Sequence, residues 1–203
     1  MSAATTAPIL LNTITRNWWT GALKKIKASY DTLIAKASTK YGVPKDVVLA
    51  VILHESGGDE KIGRREPSGK KCRGAECVLQ PGDKAISYGL MQILDKTAKT
   101  MGYKGSPIGL FIPSVNIDLG VRLLGDNYAK FKSWPLAVAA YNAGGGRVQQ
   151  VIDTLKTNDW QSIILMKNQL TDKKFTGFKN YTIPYLEHVF ARGGMREIAA
   201  TFV

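Results

Sequence analysis

The chain has 203 residues, enough for one domain with a well-buried core, and its hydrophobic content of 44% and charged content of 22% are ordinary for a soluble globular protein. Its 28 basic residues exceed its 16 acidic residues, which gives a formal net charge of +12. That excess favours a polyanionic partner: nucleic acid, an anionic membrane surface or an acidic cell-wall polymer. No apolar run reaches the roughly eighteen residues of a membrane-spanning helix.

Metal and redox chemistry have little support in the composition. The two cysteines, Cys72 and Cys77, and the two histidines, His54 and His188, argue against a four-ligand zinc site. We therefore expect neither a metal nor a cofactor. The cysteine pair either closes a small loop as a disulfide or stays reduced, and the sequence leaves both states open.

Residues 1–20 are predicted to form an N-terminal leader ahead of a single domain over residues 21–203. The leader has no basic region followed by a long apolar stretch, so we expect synthesis in the cytoplasm without a signal peptide. Aromatic and basic side chains cluster where the leader ends: Trp18, Trp19, Lys24, Lys25 and Lys27. This cluster either touches an anionic membrane surface or packs a first helix against the core, and packing is the favoured interpretation.

Helical periodicity dominates the rest of the chain. A first helix is predicted over residues 21–40, and Pro44 suits the first turn of a second helix. Later helices are predicted over the stretches 115–131, 134–142, 147–156, 159–169 and 181–191, with a short turn and helix inside 85–102. Residues 57–84 are rich in glycine and charge and predict a long irregular loop. Because strand-like alternation is nearly absent, we expect a mainly α fold with little or no β structure.

Glu55 ends the apolar run that begins at Val47. On a helix, Val48, Val51 and Ile52 share its face, so its carboxyl is predicted to point inward at the last turn, just before glycines that can end the helix. Burial raises the pKa of a carboxyl, and such a group can still hold a proton near neutral pH and deliver it to a leaving group. No other acidic residue lies in a comparably apolar motif.

Three further motifs follow Glu55. They are Ser-Tyr-Gly-Leu-Met-Gln-Ile at 87–93, Ala-Ala-Tyr-Asn-Ala-Gly-Gly-Gly-Arg-Val at 139–148 and Asn-Tyr-Thr-Ile-Pro-Tyr-Leu-Glu-His-Val at 180–189. Together with Tyr-Gly-Val-Pro at 41–44 and Glu-Ser-Gly after it, they resemble the lytic transglycosylases of the soluble-lytic-transglycosylase type. Each motif is weak alone, but their order is specific to that family.

The resemblance runs from about residue 25 to about residue 192 and implies a lysozyme-like fold. It also implies cleavage of the β-1,4 bond between N-acetylmuramic acid and N-acetylglucosamine in peptidoglycan, leaving a 1,6-anhydromuramoyl end. In that chemistry Glu55 is the sole catalytic carboxyl. It first donates a proton to the glycosidic oxygen and then accepts the proton of the sugar's own 6-hydroxyl, which closes on the anomeric carbon.

The resemblance also implies substrate-binding residues. Ser56 either contacts substrate or has a structural role, in which it caps the helix end or contacts the Glu55 backbone, and the structural role is favoured. Gln92 either hydrogen-bonds a sugar or is a buried amide satisfied within the protein, with sugar binding favoured. Tyr141 suits contact with Glu55 or a pyranose ring, and Asn142 either binds sugar or fixes the turn into the glycines that follow.

The last motif departs from the family. Members often carry a second glutamate four residues before its tyrosine. If Tyr185 is that tyrosine, Tyr181 stands where the glutamate would be, so a phenol replaces the second acidic contact. Tyr181 and Tyr185 are both predicted to contact substrate. Glu55 is expected to have fewer acidic residues near it than the catalytic glutamate of its relatives has.

The separation between Glu55 and Gln92 is longer than in compact members, and residues 57–84 supply the excess. This segment is either a solvated loop or a basic border of the cleft that attracts the anionic wall. Its basic residues are Lys61, Arg64, Arg65, Lys70, Lys71, Arg73 and Lys84.

These expectations describe a monomeric enzyme that acts on peptidoglycan. A bacteriophage origin, in lysis or in entry, suits the expected absence of a signal peptide, and the alternative source is a bacterial enzyme that lacks its signal peptide. Two alternatives remain: a muramidase that hydrolyses the same bond on the same fold, and a non-catalytic wall-binding protein. Nucleic acid is not an expected partner, because no readout motif accompanies the positive charge.

Overall fold

Helices dominate the computed structural model, which describes residues 13–191 and 193–203. In these ranges the α-helices are α1 (Thr13–Tyr41), α2 (Lys45–Ser56), α3 (Asp95–Thr100), α4 (Pro113–Phe131), α5 (Trp134–Ala143), α6 (Gly145–Leu155), α7 (Trp160–Leu165), α8 (Ile183–Phe190) and α9 (Met195–Ala200). A π-helical turn, Phe178–Thr182, leads into α8. The prediction of a mainly helical fold is confirmed.

A small antiparallel sheet accompanies the helices. Its strands are β1 (Ile62–Glu66), β2 (Lys70–Arg73), β3 (Ala85–Tyr88) and β4 (Ile93–Leu94), in the order β2-β1-β3-β4. In the register of β1 with β3, Arg64 lies opposite Ser87 and Glu66 opposite Ala85. Since side chains alternate along a strand, Arg64 and Glu66 share one face of the sheet.

Helix α2 is the centre of the core. Its residues from Val47 to Leu53 are all buried, and it packs against α1, α8 and α9. Helix α4 in turn packs against α1 and α5. A helix that is apolar on all sides is stable only inside a protein, so α2 fixes the position of the residues at its C-terminal end.

The first helix is longer than expected. It begins at Thr13 and not at residue 21, and Trp19 is buried in the core while Trp18 is 56% exposed. The packing interpretation of this cluster therefore holds for Trp19. Residues 1–12 of the predicted leader lie outside the described residues. No helix within the described ranges is both long and apolar enough to cross a bilayer.

The prediction of an irregular loop over residues 57–84 is wrong in detail, because β1 and β2 form a hairpin within it. Charged residues occupy both faces of these strands, so the sequence lacks the apolar–polar alternation that normally reveals a strand. Cys72 and Cys77 form a disulfide, which settles the open question of their pairing. Both sulfurs pack on Gly63 of β1, where an added Cβ would lie 2.7 Å from Cys77 Sγ.

Candidate active site

A cleft of about 550 Å³ lies where α2, the sheet, α5, α6 and the π-helical turn meet. Most of the residues predicted from the sequence line it, together with charged residues that were not predicted. Its principal polar and aromatic lining residues are Glu55, Arg64, Glu66, Ser87, Gln92, Thr97, Tyr141, Asn142, Arg147, Lys174, Phe178, Tyr181 and Thr182.

Glu55 lies in the last turn of α2, as the sequence predicts. The helix ends at Gly57, which adopts φ +63° and donates its N–H to the carbonyl oxygen of Leu53. The pKa of the Glu55 carboxyl is raised to about 7: burial is the largest cause and the nearby Glu66 adds to it, whereas the Tyr185 hydroxyl and the Arg64 guanidinium act in the opposite direction. Glu55 can therefore carry a proton near neutral pH and still face the cleft.

Two charged residues of β1 flank Glu55. Arg64 Nη2 donates to the backbone carbonyl oxygen of Glu55 at 2.9 Å, and its Nε is buried without a hydrogen-bond partner in the described part of the chain. Glu66 lines the same cleft, and burial raises the pKa of its carboxyl while Arg64 lowers it. The expectation that Glu55 has few acidic residues near it is therefore wrong, because Glu66 lines the same cleft.

Tyr185 lies beneath the acid and not in the open cleft. Its side chain is 2% exposed, and its ring stacks on His54 with centroids 3.9 Å apart. The hydroxyl is near enough to lower the pKa of Glu55 as a hydrogen-bond donor would, although the pair does not reach full hydrogen-bond geometry. Burial, and then the Glu55 charge, raise the pKa of Tyr185. Tyr185 thus supports the acid, and its predicted direct contact with substrate is not favoured by its burial.

Tyr141 reaches the cleft from α5. Its hydroxyl donates to the carbonyl oxygen of Met91 at 2.5 Å, and burial followed by the charge of Glu55 raises its pKa. The phenol stays neutral, and because its one proton is bonded to Met91, the hydroxyl can serve a ligand only as an acceptor. The predicted contact of Tyr141 with Glu55 or a sugar stays a prediction.

The turn that precedes β4 is held from below by Asn116 of α4, which is fully buried. Asn116 Oδ1 accepts from the Met91 N–H at 2.7 Å, and Nδ2 donates to the carbonyl oxygens of Tyr88 and Leu110 at 2.7 Å each. Sequence reasoning missed this residue, because a single asparagine in a helix carries no recognisable signal.

Gln92 lines the cleft, but its side-chain amide makes hydrogen bonds within the protein. Nε2 donates to the carbonyl oxygens of Ile62 and Gly89 at 2.9 Å each, and Oε1 accepts from Ser87 Oγ at 2.9 Å. A ligand can use at most the remaining Oε1 lone pair. The preference for sugar binding is thus not supported, and Gln92 ties β1 to the turn.

Ser56 plays the favoured structural role. Its Oγ donates to the carbonyl oxygen of Leu90 at 2.8 Å and accepts from the Gly58 N–H at 3.1 Å. These bonds join the end of α2 to the turn beneath the cleft. Ser56 is not among the residues that line the cleft.

Asn142 and Tyr181 lie on the wall opposite the sheet. Asn142 is exposed, and its Oδ1 accepts from Thr182 Oγ1 at 2.7 Å, so its amide nitrogen stays available to a ligand. Tyr181 is 74% exposed and lines the cleft, as a residue that stacks on a sugar would.

Within the described residues, no group of three or more His, Cys, Asp and Glu side chains is arranged to hold a metal ion. The cleft brings the carboxyls of Glu55 and Glu66 together with the phenols of Tyr141 and Tyr181, an arrangement that suits proton transfer. Glu66 is a functional candidate that the sequence did not single out, and Arg64 was predicted only as one of seven basic residues at the border of the cleft. Arg64 and Glu66 are separated by Arg65 in the sequence, and this spacing places them on one face only if the segment is a strand.

Comparison with solved structures identifies the same fold in soluble lytic transglycosylases. An inactive mutant of Slt from Pseudomonas aeruginosa is 20% identical with a TM-score of 0.60, and the match covers 93% of this chain and 29% of that one. The 70-kDa enzyme SLT70 from Escherichia coli is also 20% identical, with a TM-score of 0.63 and the same coverage. A 70-kDa soluble lytic transglycosylase in complex with bulgecin A is 21% identical, with a TM-score of 0.61. The chain therefore spans less than a third of the length of these proteins.

The family comparison is consistent with the fold and extends to the sequence. The model of the transglycosylase SLT domain matches residues 32–164, more than half of the chain. The matched range contains Glu55, the Gly89–Gln92 turn and Tyr141. The chain belongs to the transglycosylase SLT domain family.

Proposed function

We propose that the protein is a peptidoglycan lytic transglycosylase that cleaves the β-1,4 bond between N-acetylmuramic acid and N-acetylglucosamine. The observation that carries this proposal is Glu55, a carboxyl with its pKa raised to about 7 at the wall of a cleft. Membership of the SLT family supports the choice of reaction. The solved relatives are described as lytic transglycosylases.

The reaction begins with Glu55 protonated. Its carboxyl donates a proton to the glycosidic oxygen as the bond from that oxygen to the anomeric carbon breaks, and the N-acetylglucosamine hydroxyl leaves. The 6-hydroxyl oxygen of the muramic residue then bonds to the anomeric carbon, and Glu55 accepts the hydroxyl proton. The acid is regenerated and no water is consumed. A single carboxyl suffices because the nucleophile is part of the substrate.

Neighbouring groups suit this cycle. Burial favours the neutral acid before the first step, and Arg64 favours the carboxylate that the first step creates. Tyr141 and Tyr185 remain protonated beside Glu55, since burial raises the pKa of each. The Tyr185 hydroxyl, which has no hydrogen-bond partner among the described residues, can therefore donate to the carboxylate without competing for its proton, whereas the Tyr141 hydroxyl proton is bonded to the Met91 carbonyl oxygen.

Hydrolysis of the same bond is the second candidate, and Glu66 is the observation that favours it. A second carboxyl in the cleft is the arrangement by which glycosidases activate a water molecule. Exchanging Glu66 for glutamine separates the two functions. A transglycosylase keeps forming anhydromuropeptides without Glu66, whereas a hydrolase that relies on Glu66 as its base loses activity by a factor of about 100 or more.

Digestion of purified peptidoglycan followed by mass spectrometry tests the proposal. We expect anhydromuropeptides from the parent protein and no products from the Glu55→Gln variant. Reducing muramic ends alone would establish hydrolysis. A Glu55→Gln variant that lyses cells as well as the parent would instead establish a wall-binding protein without catalysis.

The biological setting forms part of the same proposal. We propose that the protein degrades the cell wall as a monomer, during bacteriophage lysis or entry, with peptidoglycan glycan strands as its partner. The exposed Trp18 and the net charge of +12 support a secondary contact with an anionic membrane surface. Sedimentation with anionic and with neutral vesicles tests this contact. Binding should depend on both the Trp18 side chain and the anionic lipid.

A further inference from the structure

Two cations line the cleft from the side opposite the sheet. Arg147 lies in the first turn of α6, and Lys174 lies in the 3₁₀ turn Lys173–Phe175. Both contact the ring of Phe175: the Arg147 guanidinium carbon is 5.8 Å and Lys174 Nζ is 5.0 Å from its centroid. Phe175 is 2% exposed. The ring therefore holds two flexible side chains together at one end of the cleft.

The charges of this pair are only partly neutralised. Lys174 Nζ lies 3.1 Å from Asp172 Oδ2. Arg147 makes no ion pair with any residue that the structure describes, and its Nη1 donates to the neutral Gln150 Oε1 at 2.8 Å. One carboxylate therefore faces two cations, and most of the N–H groups of Arg147 are available to a ligand.

The substrate of the proposed function has matching chemistry. Its N-acetylated sugar rings are uncharged, and its anionic groups are the carboxylates of the peptides attached to the lactyl group of muramic acid. We infer that Arg147 and Lys174 form a binding site for a carboxylate of that peptide. This inference rests on the proposed function and adds a peptide contact to a cleft that otherwise binds sugar.

Arg147 is the principal group of this site. A guanidinium presents a planar pair of N–H donors that matches the two oxygens of a carboxylate, whereas an ammonium acts as a point charge. A charge-assisted hydrogen bond contributes about 1.5–3 kcal/mol, which corresponds to a factor of roughly 10–100 in affinity. The side chain is solvent-accessible, so the lower end of that range is expected.

Binding to the Glu55→Gln variant tests the inference without cleavage of the ligand. Three soluble glycan fragments of equal length are compared by calorimetry: one with peptides, one without peptides whose lactyl carboxyls are amidated, and one whose peptide carboxylates are amidated. Adding Arg147→Gln and Lys174→Gln should raise the Kd for the peptide-bearing fragment about tenfold. The Kd values for the other two fragments should change by less than about twofold.

Lys173→Gln is the matched control. Lys173 is the exposed neighbour of Lys174 and is not among the residues that line the cleft, so its removal tests for a general effect of charge. Thermal denaturation establishes that each variant is folded. Arg147→Lys in place of Arg147→Gln should restore part of the lost affinity.

Equal losses for all three fragments, or no loss for any, would overturn the inference and leave the proposed function intact. A loss for the amidated fragment as large as that for the ionised one would also overturn it, because the contact would then not involve a carboxylate. If the Glu55→Gln protein bound none of the fragments, the proposed peptidoglycan substrate would be wrong and the peptide site with it.

Discussion

Arg64 Nη2 donates a hydrogen bond to the backbone carbonyl oxygen of Glu55 at 2.9 Å. The bond ties β1 to the last turn of α2 and fixes a cation beside the candidate acid. The cation lowers the pKa of Glu55, but burial has the larger effect, and the pKa remains raised to about 7. The acid is thus poised between protonation states near neutral pH, as proton donation and later proton acceptance both require.

Replacing Arg64 by glutamine should move the pH dependence of activity upward. Since the reaction starts from protonated Glu55, kcat/KM falls as pH rises through the pKa of this residue. Without the cation that pKa rises above about 7, so the alkaline limb of the profile shifts to higher pH. The measurement is kcat/KM for release of soluble fragments across the pH range.

Lys71→Gln provides the control for the Arg64 experiment. Lys71 lies opposite Arg64 in the register of β2 with β1, but it is exposed and does not line the cleft. Its removal should leave the alkaline limb in place. An unmoved limb in Arg64→Gln, or one displaced to lower pH, would contradict the assigned role of the cation.

The Glu55→Gln variant should become more stable than the parent as pH rises. The pKa of Glu55 is about 7 in the folded protein against an ordinary value of 4.5 for a glutamate. Between these values the folded state binds more protons than the unfolded state, so the free energy of unfolding of the parent falls as pH rises. The fall amounts to at most about 3 kcal/mol, and glutamine does not undergo it.

Urea denaturation of both proteins between pH 4 and pH 8 measures this effect. Taking the difference between the two proteins at each pH removes the contributions of groups that titrate alike in both. A difference that stays constant over the whole range would show that the pKa of Glu55 is ordinary, and the acid role would lose its physical basis.

Sequence patterns located the acid but not its surroundings. The apolar run before Glu55 and the glycines after it predict a buried helix that ends beside the carboxyl, and α2 has this form. Arg64 and Glu66 could not be placed, because β1 carries charges on both faces and has no periodic signal. The motif at 180–189 contains both Tyr181, which lines the cleft from the π-helical turn, and Tyr185, which is buried in α8, and the sequence does not distinguish these two positions.

Gln92 shows a second limit of sequence reasoning. Its type and motif favour sugar binding, yet three hydrogen bonds within the protein occupy its amide. These partners lie in β1, β3 and the turn before β4, and only the folded sheet brings them together. Local sequence cannot distinguish an amide that binds ligand from one that joins strands.

Asn116→Leu should destabilise the protein by roughly 3–5 kcal/mol. The substitution removes three hydrogen bonds and leaves the Met91 N–H and two carbonyl oxygens buried without partners. It should also reduce kcat, because Met91 accepts the Tyr141 hydrogen bond through its own carbonyl. Urea denaturation and kinetics at saturating substrate measure the two effects.

Asn127→Ala is the control for Asn116, since it lies on the same helix and makes a single 3.3 Å bond to the carbonyl oxygen of Ala137. It should cost less than about 1 kcal/mol. If the two substitutions had equal effects on stability, the turn would not depend on Asn116.

Gly63→Ala should destabilise the hairpin by about 1–3 kcal/mol. An added Cβ would lie 2.7 Å from Cys77 Sγ and 2.9 Å from Cys72 Sγ, too close for a carbon and a sulfur. Gly21→Ala is the control, because an added Cβ there meets nothing within 4 Å.

Replacing both cysteines by serine tests the role of the disulfide in this clash. That change itself lowers the free energy of unfolding by about 2 kcal/mol, and in this background the further loss caused by Gly63→Ala should be smaller. A cost that is the same in both backgrounds would mean that the disulfide does not pack on β1.

Digestion of peptidoglycan in heavy-oxygen water (H₂¹⁸O) tests the central claim most directly, because the claim is that the nucleophile belongs to the substrate. The muramic products should contain no heavy oxygen and weigh one water less than hydrolytic products, and they should be absent with Glu55→Gln. Reducing muramic ends that carry heavy oxygen would contradict the claim and assign the protein to hydrolysis.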